Sequence, residues 1–261
     1  MERIPRLSRP PLRRVVPLAT LLLLLALWQF ITALRLYPTF IIPPPLAVLE
    51  RFGEVLADGR LWLHTRTTLT EVLVGLAVGS AVGVALGYLI AKSRALEAIL
   101  SPVIVTLQST PVVAYAPLLV IWFGSGTSSK VLTCALIVFF PVLMSTLVGV
   151  RNTPASLRDL MHSLGATRWQ LLTRLDVPAA LPVLLGGLKV SATLAVIGAV
   201  VGEFVSTSAG LGFLINVARN QYDTPLVIVA VLTLAVMARV LYELVSFVER
   251  RALAWQRRVR V

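Results

Sequence analysis

Residues 156–182, SLRDLMHSLGATRWQLLTRLDVPAALP, form a polar interruption between two long hydrophobic runs, and their spacing is not that of a slack connection. Ser156 stands three residues before Asp159, the spacing of a capping box. Leu157, Leu160, Met161 and Leu164 then recur at i, i+3, i+4 and i+7, the stripe of one amphipathic helix. Gly165 is placed to end that helix as a C-terminal glycine. Thr167 with Gln170 repeats the capping-box spacing, Leu171, Leu172 and Leu175 follow, and Pro178 is placed to close the second helix. The expectation is two short amphipathic helices joined at a glycine, within a polar segment covering 151–185.

The rest of the chain supplies the setting. Of its 261 residues 57% are hydrophobic and only 14% charged, with a mean hydropathy of +0.87. That is too apolar for a domain with an ordinary wet surface. A bilayer core takes roughly 20 apolar residues per helical span. Such runs occur near 15–34, 68–91, 98–123, 131–150, 186–206 and 225–248, predicting an all-α polytopic membrane protein of about six spans. The first run follows Arg3, Arg6, Arg9, Arg13 and Arg14, as a signal peptide would, but it is long and no small-x-small site follows, so it reads as a retained span. The net charge of +12 is scattered over tails and loops, which speaks against a nucleic-acid surface.

An even number of spans puts both termini on one side. With that side cytoplasmic, the inner segments hold Lys92, Arg94, Arg151, Arg158, Arg168, Arg174, Arg250, Arg251, Arg257, Arg258 and Arg260 besides the N-terminal arginines. The outer ones keep Arg35, Arg51, Arg60, Arg66, Lys130 and Arg219. The positive-inside bias favours this orientation. The organisation is then a basic cytoplasmic tail (1–14), a membrane domain (15–249) with the cytoplasmic loop 151–185, and a second basic tail (250–261). Outside, Pro43, Pro44 and Pro45 precede an amphipathic helix over 46–58, with Leu49, Phe52, Val55 and Leu56 on one face. It fits an interfacial helix or a small packed one equally.

Within the spans, Gly75, Gly79, Gly83 and Gly87 fall four apart and make a flat strip for close helix packing, inside one subunit in preference to a dimer face. Gly187, Ser191, Ala195 and Ala199 repeat the idea in the fifth span. Single Cys134 lies in an apolar run and reads as packing. Intramembrane polar groups are expensive and mark function by default, though many only tie helices together. Gln108, Ser109 and Thr110 precede Pro111, whose missing donor loosens the third span. Together with Ser191, Thr193 and Glu203 of the fifth span they are the candidate lining of a pathway, with interhelical hydrogen bonding as the alternative. Glu71 needs a partner, and Arg239 with Glu243 are placed to neutralise one another. His64 and His162 fall outside the expected spans without metal-ligand spacing. The chain shows no nucleophile–base arrangement and no catalytic or metal site.

The loop also resembles a known pattern. Permeases of binding-protein-dependent ABC importers carry Glu-Ala-Ala, three residues, Gly, nine residues, then Ile-x-Leu-Pro. This chain has Asp159-Leu160-Met161, Gly165 and Leu175-Asp176-Val177-Pro178 at the same spacing, with Leu and Met replacing the two alanines. Thr67–Gly75, Pro111–Pro117, Ile121–Gly124, Gly165–Gln170, Gly202–Phe204 and Gly210–Gly212 resemble the nitrate/sulfonate/taurine-type branch. Within it, Gly187-Leu188-Lys189 and 196–204 look most like permeases for thiamine-precursor pyrimidines or riboflavin.

The resemblance implies the type I importer permease fold and an inner-membrane location. It implies two copies of the chain, two ATPase subunits and an extracytoplasmic binding protein, with sulfonate, taurine or nitrate as alternative cargo. Asp159, Gly165, Ala166, Arg168, Trp169, Leu175, Pro178 and Pro182 would then couple the loop to the ATPase. No phosphate-binding G-x-x-x-x-G-K-[ST] loop is present, so no cofactor is expected in this chain and ATP would be hydrolysed by the partner. An ion-gradient-driven transporter is the rival class. It predicts intramembrane ionic relays or an internal repeat, neither of which is evident.

Overall fold

In hydrocarbon every backbone N–H and C=O must be satisfied within the chain, which leaves an open-ended polytopic protein only helices. The computed structural model describes residues 12–205 and 208–255, and every regular element among them is helical. In order these are α1 (Leu12–Ala33), α2 (Pro45–Ala57), α3 (Arg60–Lys92), α4 (Arg94–Ser109), α5 (Ala116–Phe123), α6 (Thr127–Arg151), α7 (Ala155–Ser163), α8 (Arg168–Leu171), α9 (Val177–Val205), α10 (Leu211–Asn220) and α11 (Thr224–Ala252). Arg3, Arg6, Arg9, Arg257, Arg258 and Arg260, and the side chains of Arg13 and Arg14, lie outside what is described.

The six expected spans resolve unequally. Among the described residues α3, α6, α11 and the continuous rod Arg168–Val205 are each long and apolar enough to cross a membrane. The third expected span is a broken one, α4 and α5 meeting at 81°. The first is represented by α1, with Ala19–Ala33 as its apolar segment. Leu21, Leu22, Leu23 and Leu24 of α1 are all exposed, as a lipid-facing helix leaves them.

The core of the bundle is α6 held between α3 and α9. Along α3, a Cβ added to Gly79 would come within 2.5 Å of the Ala135 carbonyl oxygen, and one on Gly87 within 2.7 Å of the Leu143 oxygen. From α9, a Cβ on Gly198 would lie 2.7 Å from Cα of Cys134, and one on Gly202 3.0 Å from Cα of Lys130. The α3 strip therefore packs within one chain, and of the small residues expected to repeat it in the fifth span Ser191, Ala195 and Ala199 are fully buried while a Cβ on Gly187 would strike the Ser145 side chain. Without a hydrophobic driving force between helices in lipid, such backbone approach is what holds them together. Cys134 is fully buried in this seam, its Sγ 3.3 Å from the Ala195 carbonyl. Gly79→Ala meets backbone and not a yielding side chain, so it is expected to destabilise the chain by about 1–3 kcal/mol. A lowered thermal unfolding midpoint of the detergent-purified variant checks this.

Helix α2 begins with Pro45 in its first turn, where a missing N–H costs nothing. It buries Val48 and Val55 but leaves Leu49, Phe52 and Leu56 exposed. Only Val55 of the expected apolar face packs inward. Leu49 and Phe52 line an apolar groove shared with Trp28 of α1 and Val236 of α11, an arrangement suited to a helix lying at a lipid interface. Asp223 caps α11 through the Leu226 N–H (3.1 Å) and also pairs with Arg51 of α2 at 2.6 Å, so one carboxylate joins the two helices.

Candidate functional site

The interrupting loop forms much as its sequence spacing predicts, with two differences. Helix α7 runs Ala155–Ser163 and stops at Gly165, whose φ of +69° is the left-handed conformation glycine tolerates. The Gly165 N–H donates to the His162 carbonyl and the Ala166 N–H to that of Met161, both at 3.0 Å, which is a Schellman end. Thr167 then caps α8. Its hydroxyl accepts from the Gln170 N–H (3.2 Å), and its own N–H donates to the Gln170 side-chain oxygen (2.8 Å). This capping box is the one the sequence marks.

The Ser156–Asp159 capping box is not formed. Pro154 occupies the cap position, with no side-chain hydrogen bond there, so helix entry two residues earlier takes Ser156 inside the first turn. Pro178 does not close the second helix either. Residues Leu172–Asp176 widen into a π turn, and the chain continues through Pro178 and Pro182 into α9 as one rod. A π turn directly before Pro178 supplies the slack that the missing N–H and ring clash would otherwise demand as a break. The helix that carries the fifth expected span thus begins well before 186, within the polar segment.

The two loop helices turn apolar side chains outward: Leu157, Leu160, Leu164 and Trp169 are exposed, Leu164 at 72% and Trp169 at 71%. Asp159, Arg168 and Arg174 are exposed beside them, while Leu175 and Pro178 are half-buried at the junction with α9. Asp176, which the sequence reading passed over, is 1% exposed as a side chain, with Lys92 Nζ at 2.6 Å and Arg158 Nη2 at 3.3 Å. Its place in the run Leu175–Pro178, apart from any apolar stripe, is the signal that could have found it. At the same end of the bundle Glu97 and Arg151 form a two-pronged pair joining α4 to α6, at 2.6 and 2.5 Å. Lys189 pairs with Glu249 at 2.7 Å, joining α9 to α11. Arg239 and Glu243 pair along α11 as their spacing predicts.

The opposite end holds a buried polar knot. Glu203 is 1% exposed, and its Oε1 accepts from the Thr68 hydroxyl at 2.6 Å while Oε2 accepts from the Gly212 N–H at 2.5 Å. The Leu211 N–H donates to the Thr68 oxygen (2.8 Å) and the Gly210 N–H to His64 Nδ1 (3.0 Å). His64 lies in the second turn of α3, ahead of the expected span 68–91, and its acceptor Nδ1 places the proton on Nε2. In the first turn of α10 the Gly212 N–H meets a carboxylate, the favourable polarity for that helix end. Any side chain on Gly210 or Gly212 would strike that carboxylate. Glu71 sits beside Glu203, with Lys130 in electrostatic reach of both. Lys130 itself is buried and donates to the Ser125 carbonyl at 2.9 Å.

The candidate pathway residues do not gather on one surface. Gln108 and Ser109 are exposed on α4, and Thr110 is half-exposed at its end. Helix α4 ends there in extended backbone at Thr110, as the residue before Pro111 prefers, and a short 3-10 turn (Val112–Ala114) leads into α5. Ser109 and Thr110 return their hydroxyl protons to the carbonyls of Val105 (2.8 Å) and Thr106 (3.1 Å). Ser191 and Glu203 are instead sealed inside the bundle, and the Thr193 hydroxyl donates to Val190 of its own helix at 2.7 Å.

Comparison with known proteins places this geometry. The family described as binding-protein-dependent transport system inner membrane component matches residues 83–253. The riboflavin transport system permease protein RibX of Chloroflexus aurantiacus is 50% identical over 237 residues, covering 91% of this chain and 88% of that protein. The formylaminopyrimidine transport permease protein ThiX of Halalkalibacterium halodurans is 32% identical, covering 93% and 96%. The taurine transport system permease protein TauC of Escherichia coli is 33% identical, covering 95% and 92%. In fold, a chain of the inward-facing MetNI methionine ABC transporter matches with a TM-score of 0.66 at 18% identity, covering 74% of this chain and 97% of that one.

Proposed function

Because this chain belongs to the binding-protein-dependent transport system inner membrane components, as a permease subunit of an ABC importer, we propose that it carries a riboflavin-like heterocycle inward, driven by a separate ATPase. The single observation that carries the coupling is the outward-facing apolar surface of the loop. Leu160 and Leu164 at the end of α7 and Trp169 at the start of the rod that becomes α9 are more than half exposed. An apolar stripe at that place fits a groove on a partner protein. With the positive-inside orientation the loop and both termini face the cytoplasm, where ATP is hydrolysed.

Two copies of the chain would enclose the pathway, with the exposed face of α4 and its break at Gln108, Ser109 and Thr110 lining it. Non-helical backbone at membrane depth is tolerated where it is buried in protein or borders water. Solute would arrive from an extracytoplasmic binding protein. Riboflavin is favoured by the half-identical relative, and a thiamine-precursor pyrimidine is the nearest chemical alternative, ahead of taurine or a sulfonate. Uptake of labelled riboflavin by a riboflavin-requiring strain expressing this chain with its own ATPase and binding protein tests the cargo. No riboflavin uptake alongside pyrimidine uptake would shift it to the alternative.

Docking is tested separately by Leu164→Glu. Burying that side chain contributes about 1.5–3 kcal/mol, so replacing it by a charge is expected to weaken co-purification of the ATPase by about tenfold to a hundredfold. Unchanged co-purification would place the contact elsewhere.

A further inference from the structure

A carboxylate taken out of water is costly unless well paired, and Asp176 is held by two cations from two different elements. Lys92 ends α3, Arg158 lies on α7, and Asp176 closes the π turn that opens α9. The π turn itself is the least regular backbone in that rod, and a cavity of about 150 Å³ lies against it, lined by Val84, Tyr88, Thr146, Val150, Leu172 and Asp176 among others. The junction is thus tied by charge on one side and loosely filled on the other. Helix α7 has no buried residues of its own. Its hold on the bundle therefore depends heavily on Arg158.

We propose that Asp176 is a positioning residue for transport: its carboxylate clasps the loop helix α7 through Arg158 and the end of α3 through Lys92 onto the turn that starts α9, so that displacement of the loop moves both spans together. This rests on the reading that the loop docks on an ATPase. The glycine-packed seams of α3 and α9 against α6 then convert one local push into a joint movement of the core helices. Without the clasp, α7 moves and the spans do not follow.

The experiment uses the complete transporter, chain with ATPase and binding protein, in liposomes. Asp176→Asn is expected to keep ATPase co-purification and basal ATP hydrolysis. Stimulation of hydrolysis by loaded binding protein should fall about tenfold, with more ATP consumed per solute moved, since a coupling free energy of ordinary size is removed. Arg158→Gln and Lys92→Gln, at partly exposed positions, should shift the same ratio in the same direction, and they carry the test if Asp176→Asn accumulates poorly. Asp176→Glu should restore part of the stimulation. A wild-type ratio of ATP to solute in Asp176→Asn, or in both cation variants, overturns the clasp. So does loss of uptake that merely tracks loss of bound ATPase. Failure of the unaltered chain to co-purify with the ATPase would instead overturn the docking reading beneath it.

Discussion

Gly165→Pro is expected to reduce uptake to the level of cells lacking the chain while leaving its amount in the membrane unchanged. Proline fixes φ near −65° and carries no N–H, whereas Gly165 sits at +69° and donates to the His162 carbonyl. Both halves of the helix end are lost, and the link that sets α7 against α8 must take another path. The effect should stay local. A Cβ at Gly165 meets nothing within 4 Å, so no packing in the bundle is disturbed. Gly165→Ala separates geometry from bulk: it keeps the N–H and carries only the left-handed penalty of about 1 kcal/mol, so it should retain most of the uptake. Arg168→Glu reverses an exposed charge that forms no ion pair among the described residues. Its loss of uptake would report on the partner surface and not on the fold. Uptake by cells matched for membrane-inserted chain checks all three, and normal uptake by Gly165→Pro would detach the loop from the transport cycle.

The contrast within this loop shows what sequence spacing can and cannot tell. Gly165 and the Thr167–Gln170 capping box were legible because each depends on residues within a few positions, and backbone sterics leave few alternatives. Pro178 misled because its local meaning, an end of helix, was overridden by a π turn that accommodates it. Nothing in Leu172–Asp176 announces that widening. The spans were legible from hydropathy, and the small-residue strips of α3 and α9 from a four-residue period, though Gly198 and Gly202 were not. That the strips' shared partner is α6 depends on pairing between distant segments, which period alone does not specify. Asp176 was missed for the same reason, since its two cations come from 84 positions upstream and from a neighbouring helix. Gln108, Ser109 and Thr110 were found by their proline, a local signal. Glu203 was found as an intramembrane charge, but the side to which it turned was not readable.

That last point makes Glu203→Ala the second variant with a large expected effect, and one that separates a pathway lining from a structural clasp. The carboxylate accepts from Thr68 of α3 and from Gly212 at the start of α10, so it joins α9 to two other elements at once. Alanine would strand the buried Gly212 N–H, at about 1–3 kcal/mol, leave the Thr68 hydroxyl only its 3.2 Å bond to the His64 carbonyl, and leave Lys130 facing Glu71 alone. The expected result is poor accumulation, a lowered unfolding midpoint of the purified chain, and uptake that falls in proportion to the folded amount, with the concentration dependence for solute unchanged. Glu203→Gln should not rescue fully. Its oxygen can serve Thr68 only if its NH2 then faces the Gly212 N–H, donor against donor. A pathway lining predicts the reverse pattern: full stability in Glu203→Ala with an altered apparent affinity for the transported solute. Because Gly210 and Gly212 leave no room for any side chain against this carboxylate, Gly212→Ala should reproduce the stability loss without touching an ionisable group. A stable, kinetically altered Glu203→Ala beside an unstable Gly212→Ala would assign Glu203 to the pathway and leave the glycines to packing alone.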